Sequence, residues 1–189
     1  YILLGFSLGS FVVRVALDKY PDIANGAIIM GTGQQPALML SLAQAMAKSE
    51  AKKAGGFDHW TEKIDDMALG NYNKKFAPTT SKFDWLCANK AAIDAYDADS
   101  KKQDHVTIGI FNAMLELMKI ASKPRNIKKI PILFMSGDVD PVGEAKKGVI
   151  RAVKAYQKAG LEPEVKFYPG RHDILHETVQ QDVYKDIYE

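Results

Sequence analysis

Cysteine is almost absent from this chain. Cys87 is the one thiol in 189 residues, so no internal disulfide can staple the fold and stability has to come from a packed core. A lone free thiol suits a reducing, cytoplasmic setting, which is the expected location. An excess of one charge is lacking too: 25 Lys+Arg against 23 Asp+Glu leave +2, which excludes the strongly basic make-up of a nucleic-acid-binding protein. No apolar run reaches the roughly 18 residues a membrane-spanning helix needs, so no transmembrane segment is expected. An initial methionine is also missing, and the chain starts at Tyr1 directly inside apolar sequence. What is present, 47% hydrophobic and 25% charged residues, suits the core of a soluble globular domain.

Four short apolar runs read as strands: Tyr1 to Phe6, Gly26 to Gly31, Ile130 to Ser136 and Glu164 to Tyr168. The first is continuously apolar, as for a strand buried on both faces of a parallel sheet. The fourth alternates in charge and is expected nearer an edge. Helical periodicity follows three of them, over Leu8 to Tyr20 (apolar Leu8, Phe11, Val12, Val15 and Ala16), Glu144 to Lys158 and Ile174 to Ile187. Strands alternating with helices predict an α/β fold with a parallel sheet. Between the second and third strands, 34–125 is helical in pattern, over Leu38 to Ala54, around Ile64 to Leu69 and over Asp104 to Ile120. The expected organisation is a core from 1–33 and 126–189 with a helical cap at 34–125.

Gly5-Phe6-Ser7-Leu8-Gly9 has the form G-x-S-x-G, with a strand before it and an amphipathic helix after it. The glycines leave room where a serine sits on a tight strand-to-helix turn, which lifts its hydroxyl above the sheet. A bland reading is a glycine turn with an N-capping serine. A nucleophilic serine needs a base, and the base an orienting carboxylate. The loop after the third strand supplies Asp138 and Asp140, and the loop after the fourth supplies His172. Asp140 is favoured as the orienter because Pro141 biases it to an extended backbone, whereas Asp138 after Gly137 reads as a turn former. His59 and His105 fall in the cap and read as surface or packing residues. His172 and His176 are four apart, with Glu177 beyond, and so approximate a zinc-binding H-E-x-x-H helix. The Ser7, Asp140 and His172 set already accounts for His172, and the expectation is no metal and no cofactor.

At these residues the chain resembles the α/β-hydrolase superfamily, in its bacterial lysophospholipase and monoacylglycerol-lipase-like branch, often labelled serine aminopeptidase-like. The resemblance runs from Gly5 to Ser10 through Gly31-Thr32-Gly33, and through Asn73 to Phe76 and Phe83 to Leu86 in the cap. It is densest in Pro131 to Gly143 and in Tyr168 to Glu177. It implies a nucleophile at Ser7, an acid at Asp140, a base at His172 and an oxyanion-hole amide at Leu8. It implies cleavage of a small carboxylic ester, a lysophospholipid or monoacylglycerol, or a short acyl ester. An amide hydrolase with the same triad and a non-catalytic binding protein on the same fold are the alternatives. Departures are Phe6 and Leu8 in a segment usually G-H-S-M-G, one fewer small residue before His172, and Asp173 and His176 where the pattern has Glu and Asn. The shorter loop bears on whether His172 reaches Ser7. In this branch several strands, and a loop giving a second oxyanion amide, precede the elbow, so the chain is expected to be the C-terminal part of a longer protein. Met39, Met46, Met67, Met114 and Met118 with Phe57, Trp60, Phe76, Phe83 and Trp85 line an acyl pocket or pack the cap helices together; the sequence leaves both open.

Overall fold

The computed structural model describes residues 1–102 and 104–189; Gln103, inside the expected cap, lies outside the described residues. Strands β1 (Ile2–Phe6), β2 (Gly26–Met30), β3 (Ile132–Gly137) and β4 (Glu164–Tyr168) form one parallel sheet in the order β1-β2-β3-β4. Parallel pairing in sequence order brings all four carboxyl ends to one edge. Residues just beyond Phe6, Met30, Gly137 and Tyr168 therefore share a rim. Ligand sites in open α/β sheets form at this rim.

Helices cover both faces. On one, α1 (Leu8–Lys19) and α6 (Lys147–Lys158) bring Val13, Leu17, Val149, Ala152, Val153 and Tyr156 onto Ala27, Ile29 and Phe134. On the other, Val183 of α7 (Gln180–Tyr188) and Ile174 pack on Ile28, Met30, Met135 and Tyr168. Two expectations need correction. β2 is buried throughout, but β1 leaves Ile2 and Leu4 exposed, because on their face no described helix reaches beyond Phe6. In α1 the buried stripe is turned from the expected one: Phe11 and Val15 are buried, Leu8 and Val12 are exposed, and Val13, Arg14 and Leu17 face inward.

Between β2 and β3 the described residues are helical: α2 (Ala37–Ala54), α3 (Glu62–Ala68), a 3₁₀ turn at Tyr72–Phe76, α4 (Lys90–Ala98) and α5 (Ile108–Ala121). Side-chain oxygens of Thr61, Asn89 and Thr107 accept from the first-turn amides of α3, α4 and α5, the usual way to satisfy orphan donors there. Leu40, Ala47, Ile64, Ile108, Phe111 and Leu115 give this segment its own core, with Met67, Met114 and Met118 packed against it. It joins the sheet region where Phe11 and Val15 of α1 meet Ala121. A buried guanidinium lies beside this joint: Arg14 donates to Thr32 Oγ1, Gly33 O, Gln34 Oε1 and Ala121 O, binding both ends of the helical segment.

Candidate active site

At the end of β1 the chain turns sharply through Ser7, with φ 52° and ψ −119°. A residue with a Cβ pays about 1–3 kcal/mol to sit at such positive φ, so surrounding contacts have to enforce it. Ser7 N donates to Met30 O at 3.0 Å, and Ser10 returns both its amide (2.9 Å) and its hydroxyl (2.6 Å) to Ser7 O. Gly5 supplies the clearance: a Cβ there would lie 2.3 Å from Gly9 O and 2.7 Å from Val13 Cγ2. Leu8 opens α1, so its amide has no carbonyl four residues back within the helix and lies at the positive end of the helix dipole.

The loops after β3 and β4 meet at the same rim. Asp138 N donates to Tyr168 O, Val139 N to Gly170 O, and Asp138 Oδ1 accepts from Gly170 N at 3.2 Å. Asp138 thus fixes one loop to the other and does not face the imidazole. Asp140 does: its Oδ1 lies 3.0 Å from His172 Nδ1 and also accepts from Val142 N at 2.8 Å, while Oδ2 takes Ser136 Oγ at 3.4 Å. Both side chains are sealed from solvent, His172 at 1% and Asp140 at 0% exposure. A carboxylate can only accept, so it holds the hydrogen on Nδ1 and leaves the Nε2 lone pair free. Nε2 is buried and has no hydrogen-bond partner among the described residues.

His172 lies over the start of the Ser7 turn. Its ring is 4.9 Å from that of Phe6, and a Cβ on Gly31 would come within 2.9 Å of its Cε1. Gly31 directly follows Met30, whose carbonyl holds the Ser7 amide. Among the described residues no hydrogen bond joins Ser7 Oγ to Nε2; such bonds often tighten only once substrate binds.

The zinc-like spacing of His172 and His176 does not produce a shared face, because 172–179 is turn rather than helix and α7 begins at Gln180. His176 Nδ1 turns outward to Asp173 at 2.8 Å, and Glu177 Oε1 accepts from the amides of Arg171 (2.8 Å) and Ala88 (3.0 Å). In the helical segment His105 stacks on Trp60 at 3.9 Å and bonds Asp65, and His59 is exposed beside Asp58.

Spacing did not single out the groups that cover the site. Trp85 lies with its ring 5.0 Å from that of His172, and Tyr72 packs on Trp85 at 4.9 Å. Burial, with the negative charges of Asp140 and Glu144, pushes the Tyr72 phenol up to about 12, so it stays protonated and neutral. Of the cap side chains expected to line a pocket or pack the helices, Phe57 and Trp60 are half-exposed, Met39 and Met46 are exposed, and only Trp85 meets the imidazole. The sole signal for this cover lay in Asn73 to Phe76 and Phe83 to Leu86, the cap segments that carried the family resemblance.

A parallel sheet with helices on both faces, a serine on a strained turn after β1, and a buried Asp–His pair on the loops after β3 and β4 define an α/β-hydrolase fold. The chain belongs to the family described as serine aminopeptidase, S33, whose model matches residues 1–179. No protein of curated function matches it. Among solved structures it is similar to a highly thermostable carboxyl esterase from Bacillus coagulans in complex with glycerol (TM-score 0.87, 20% identity, covering 99% of this chain and 62% of that one). It is also similar to the monoacylglycerol lipase of Paleococcus ferrophilus (TM-score 0.65, 17% identity, 98% and 65%). A soluble variant of the Saccharomyces cerevisiae monoglyceride lipase, in complex with a substrate analogue, matches at TM-score 0.64 (16% identity, 98% and 62%). The chain therefore spans less than two thirds of each of these. Among the described residues no helix is long and apolar enough to cross a membrane.

Proposed function

We propose that this chain carries the Ser-His-Asp machinery of a serine hydrolase acting on small carboxylic esters, with 34–125 as its cap. The observation that carries the reading is the sealed His172, its Nδ1 held by Asp140, its Nε2 without a partner among the described residues and its ring against Phe6, the residue before Ser7. A structural histidine buried in a core has both nitrogens satisfied; one kept half-satisfied at a cost of about 1–3 kcal/mol is poised to take a proton.

In the proposed reaction Nε2 removes the Ser7 proton as Oγ attacks the ester carbonyl. Asp140 steadies the imidazolium, and the carbonyl oxygen gathers negative charge against the Leu8 amide. The carbonyl–alkoxy bond then breaks and His172 hands its proton to the departing alcohol. Water, deprotonated by the same Nε2, attacks the serine ester and releases the acid.

An ester is favoured over an aminoacyl substrate by the aromatic surround of the site, where most nearby carboxylates already have partners. Glu177 is occupied by two backbone amides, Asp138 by Gly170 N and Lys146 (4.0 Å), Glu144 by Arg151 (2.5 Å), and Asp173 faces His176. Asp173 Oδ1 is the exception, buried without a partner among the described residues, while Phe6, Trp85 and Tyr72 offer an aromatic surround. The similarity to esterases and monoacylglycerol lipases supports lipid-derived or short acyl esters.

A fluorophosphonate probe on the full-length protein tests the mechanism, with label expected on wild type and none on Ser7→Ala. Turnover of p-nitrophenyl esters but not of aminoacyl amides is the expected profile. Unlabelled wild type would indicate the non-catalytic binding protein, and preferential amide cleavage would indicate the peptidase.

A further inference from the structure

The imidazole of His172 is fixed at one point, Nδ1, by one hydrogen bond. A ring tethered through Cβ and held by that one bond can still swing about its side-chain torsions, so the direction of Nε2 depends on what packs against the ring faces. One contact is Phe6, from β1 itself. Trp85 is the other, and it is delivered by the helical segment across 87 residues of sequence.

Trp85 is itself firmly placed. It is 7% exposed, its amide donates to Asn73 Oδ1 at 2.7 Å, and Asn73 Nδ2 reaches Ser81 O at 2.8 Å. The strap on either side of it is tied to the histidine loop. Arg171 Nη1 donates to Asp84 O and Cys87 O, with its guanidinium 4.3 Å over the Phe76 ring. Asp173 N donates to Leu86 O at 2.6 Å. Glu177, 2% exposed, joins Arg171 N to Ala88 N through one oxygen. The two residues flanking His172 are thus both bonded to the two residues flanking Trp85, with the rings packed between them. Glu177 closes the arrangement as a buried carboxylate whose Oε1 bonds are spent on backbone amides.

We propose that Trp85 is a positioning residue for His172, so that seating of the 84–88 strap sets the direction of the base's Nε2. The inference rests on the hydrolase reading above and deepens it: the segment covering the site also aligns its base. A strap that lifts carries Trp85 away and frees the ring to tilt. Catalysis is then coupled to closure without any strap atom touching the reacting carbonyl.

The test compares full-length wild type with Trp85→Ala, Trp85→Phe and Phe83→Leu, by ester turnover and by the His172 Cε1–H resonance, assigned with a His172 variant. Phe83 is buried just before the 84–88 strap and packs on Tyr96 at 4.8 Å, so Phe83→Leu lowers stability while leaving the strap's bonds to the histidine loop and the ring on His172 in place. Trp85→Ala is expected to lower kcat by up to about 100-fold, the scale of an ångström's misplacement, with KM much less altered. Trp85→Phe, which keeps a flat face there, is expected to restore most of kcat. The resonance should move with Trp85→Ala and hold with Phe83→Leu. If Trp85→Ala keeps wild-type kcat and resonance, or if kcat merely follows the melting temperature across all three variants, the proposal is overturned. If wild type is inactive yet the resonance responds to Trp85 alone, the positioning contact stands and the hydrolase reading falls.

Discussion

Arg14 offers the sharpest test of how the helical segment is held to the sheet. Its guanidinium is 1% exposed and, among the described residues, forms no ion pair; it donates to neutral acceptors, Thr32 Oγ1 (3.1 Å), Gly33 O (2.9 Å), Gln34 Oε1 (3.0 Å) and Ala121 O (2.9 Å). Burial pulls its pKa below the ordinary arginine range, a sign of how poorly the charge is solvated. Two effects oppose each other. Bonds from a charged donor contribute about 1.5–3 kcal/mol each, so four give roughly 6–12 kcal/mol. Desolvating an unpaired guanidinium costs several kcal/mol in return. Arg14→Met keeps much of the apolar stem and removes both, but leaves four acceptors without their donor at about 1 kcal/mol apiece. The expected loss is therefore at least about 4 kcal/mol, or a fall in Tm of roughly 10 °C or more for a chain of this size. Urea and thermal unfolding of the full-length protein measure it. Hydrogen exchange should rise first around 31–36 and 117–122, the two ends that the guanidinium joins. An Arg14→Met protein melting within about 2 °C of wild type would show that the burial cost cancels the bonds and would refute the clamp.

Gly5→Ala should abolish fluorophosphonate labelling while leaving secondary structure by circular dichroism largely intact. Its Cβ would press on the Gly9 backbone and drive α1 away from β1, moving Ser7 and the Leu8 amide together. Retained labelling would mean that α1 can back away without disturbing the turn. A pH-dependent effect is expected at Asp186, which Lys166 (2.6 Å) and the Tyr168 hydroxyl (2.5 Å) hold below the usual carboxylate range. A lowered native pKa stabilises the fold above the unfolded-state value, and that contribution disappears as pH falls through the native one. Asp186→Asn should lower Tm at neutral pH, with the gap to wild type closing in acid; a gap that widens in acid would contradict the sign.

The parts of the site that could be read from the sequence are those whose physics is local. Ser7 is legible because the strained strand-to-helix turn demands glycine at Gly5, two residues before it, although a Cβ on Gly9 would meet nothing within 4 Å, so only one half of the expected glycine requirement is steric. Asp140 and His172 are legible because a parallel sheet puts every strand's carboxyl end on one rim, so finding strands finds the loops. Local signals also misled. Helical pattern from Glu144 onward suggested a helix there, yet Glu144, Ala145 and Lys146 sit at φ 50°, 47° and 78°, and α6 starts only at Lys147. No glycine marks that left-handed run. Bonds such as Ala145 N to Asp140 O (2.9 Å) and Arg151 to Glu144 hold it, and both depend on the folded context. The pattern from Ile174 likewise belongs to core packing on the sheet, with helix only from Gln180.

Arg14 and Trp85 were illegible for one common reason. An arginine in an amphipathic helix reads as solvent-facing, and Trp85 reads equally as a pocket-lining or a packing residue. Each acquires its role only when distant chain arrives: Ala121 for Arg14, 107 residues away, and the His172 loop for Trp85. Both act where the helical segment meets the sheet, one at its root and one at its tip. The residues of the proposed triad follow strands of the sheet, and these two contacts tie the helical segment to that sheet. Substitutions that alter activity without touching Ser7, Asp140 or His172 should therefore concentrate at the root around Arg14 and along the 84–88 strap, rather than spread evenly over the helical segment.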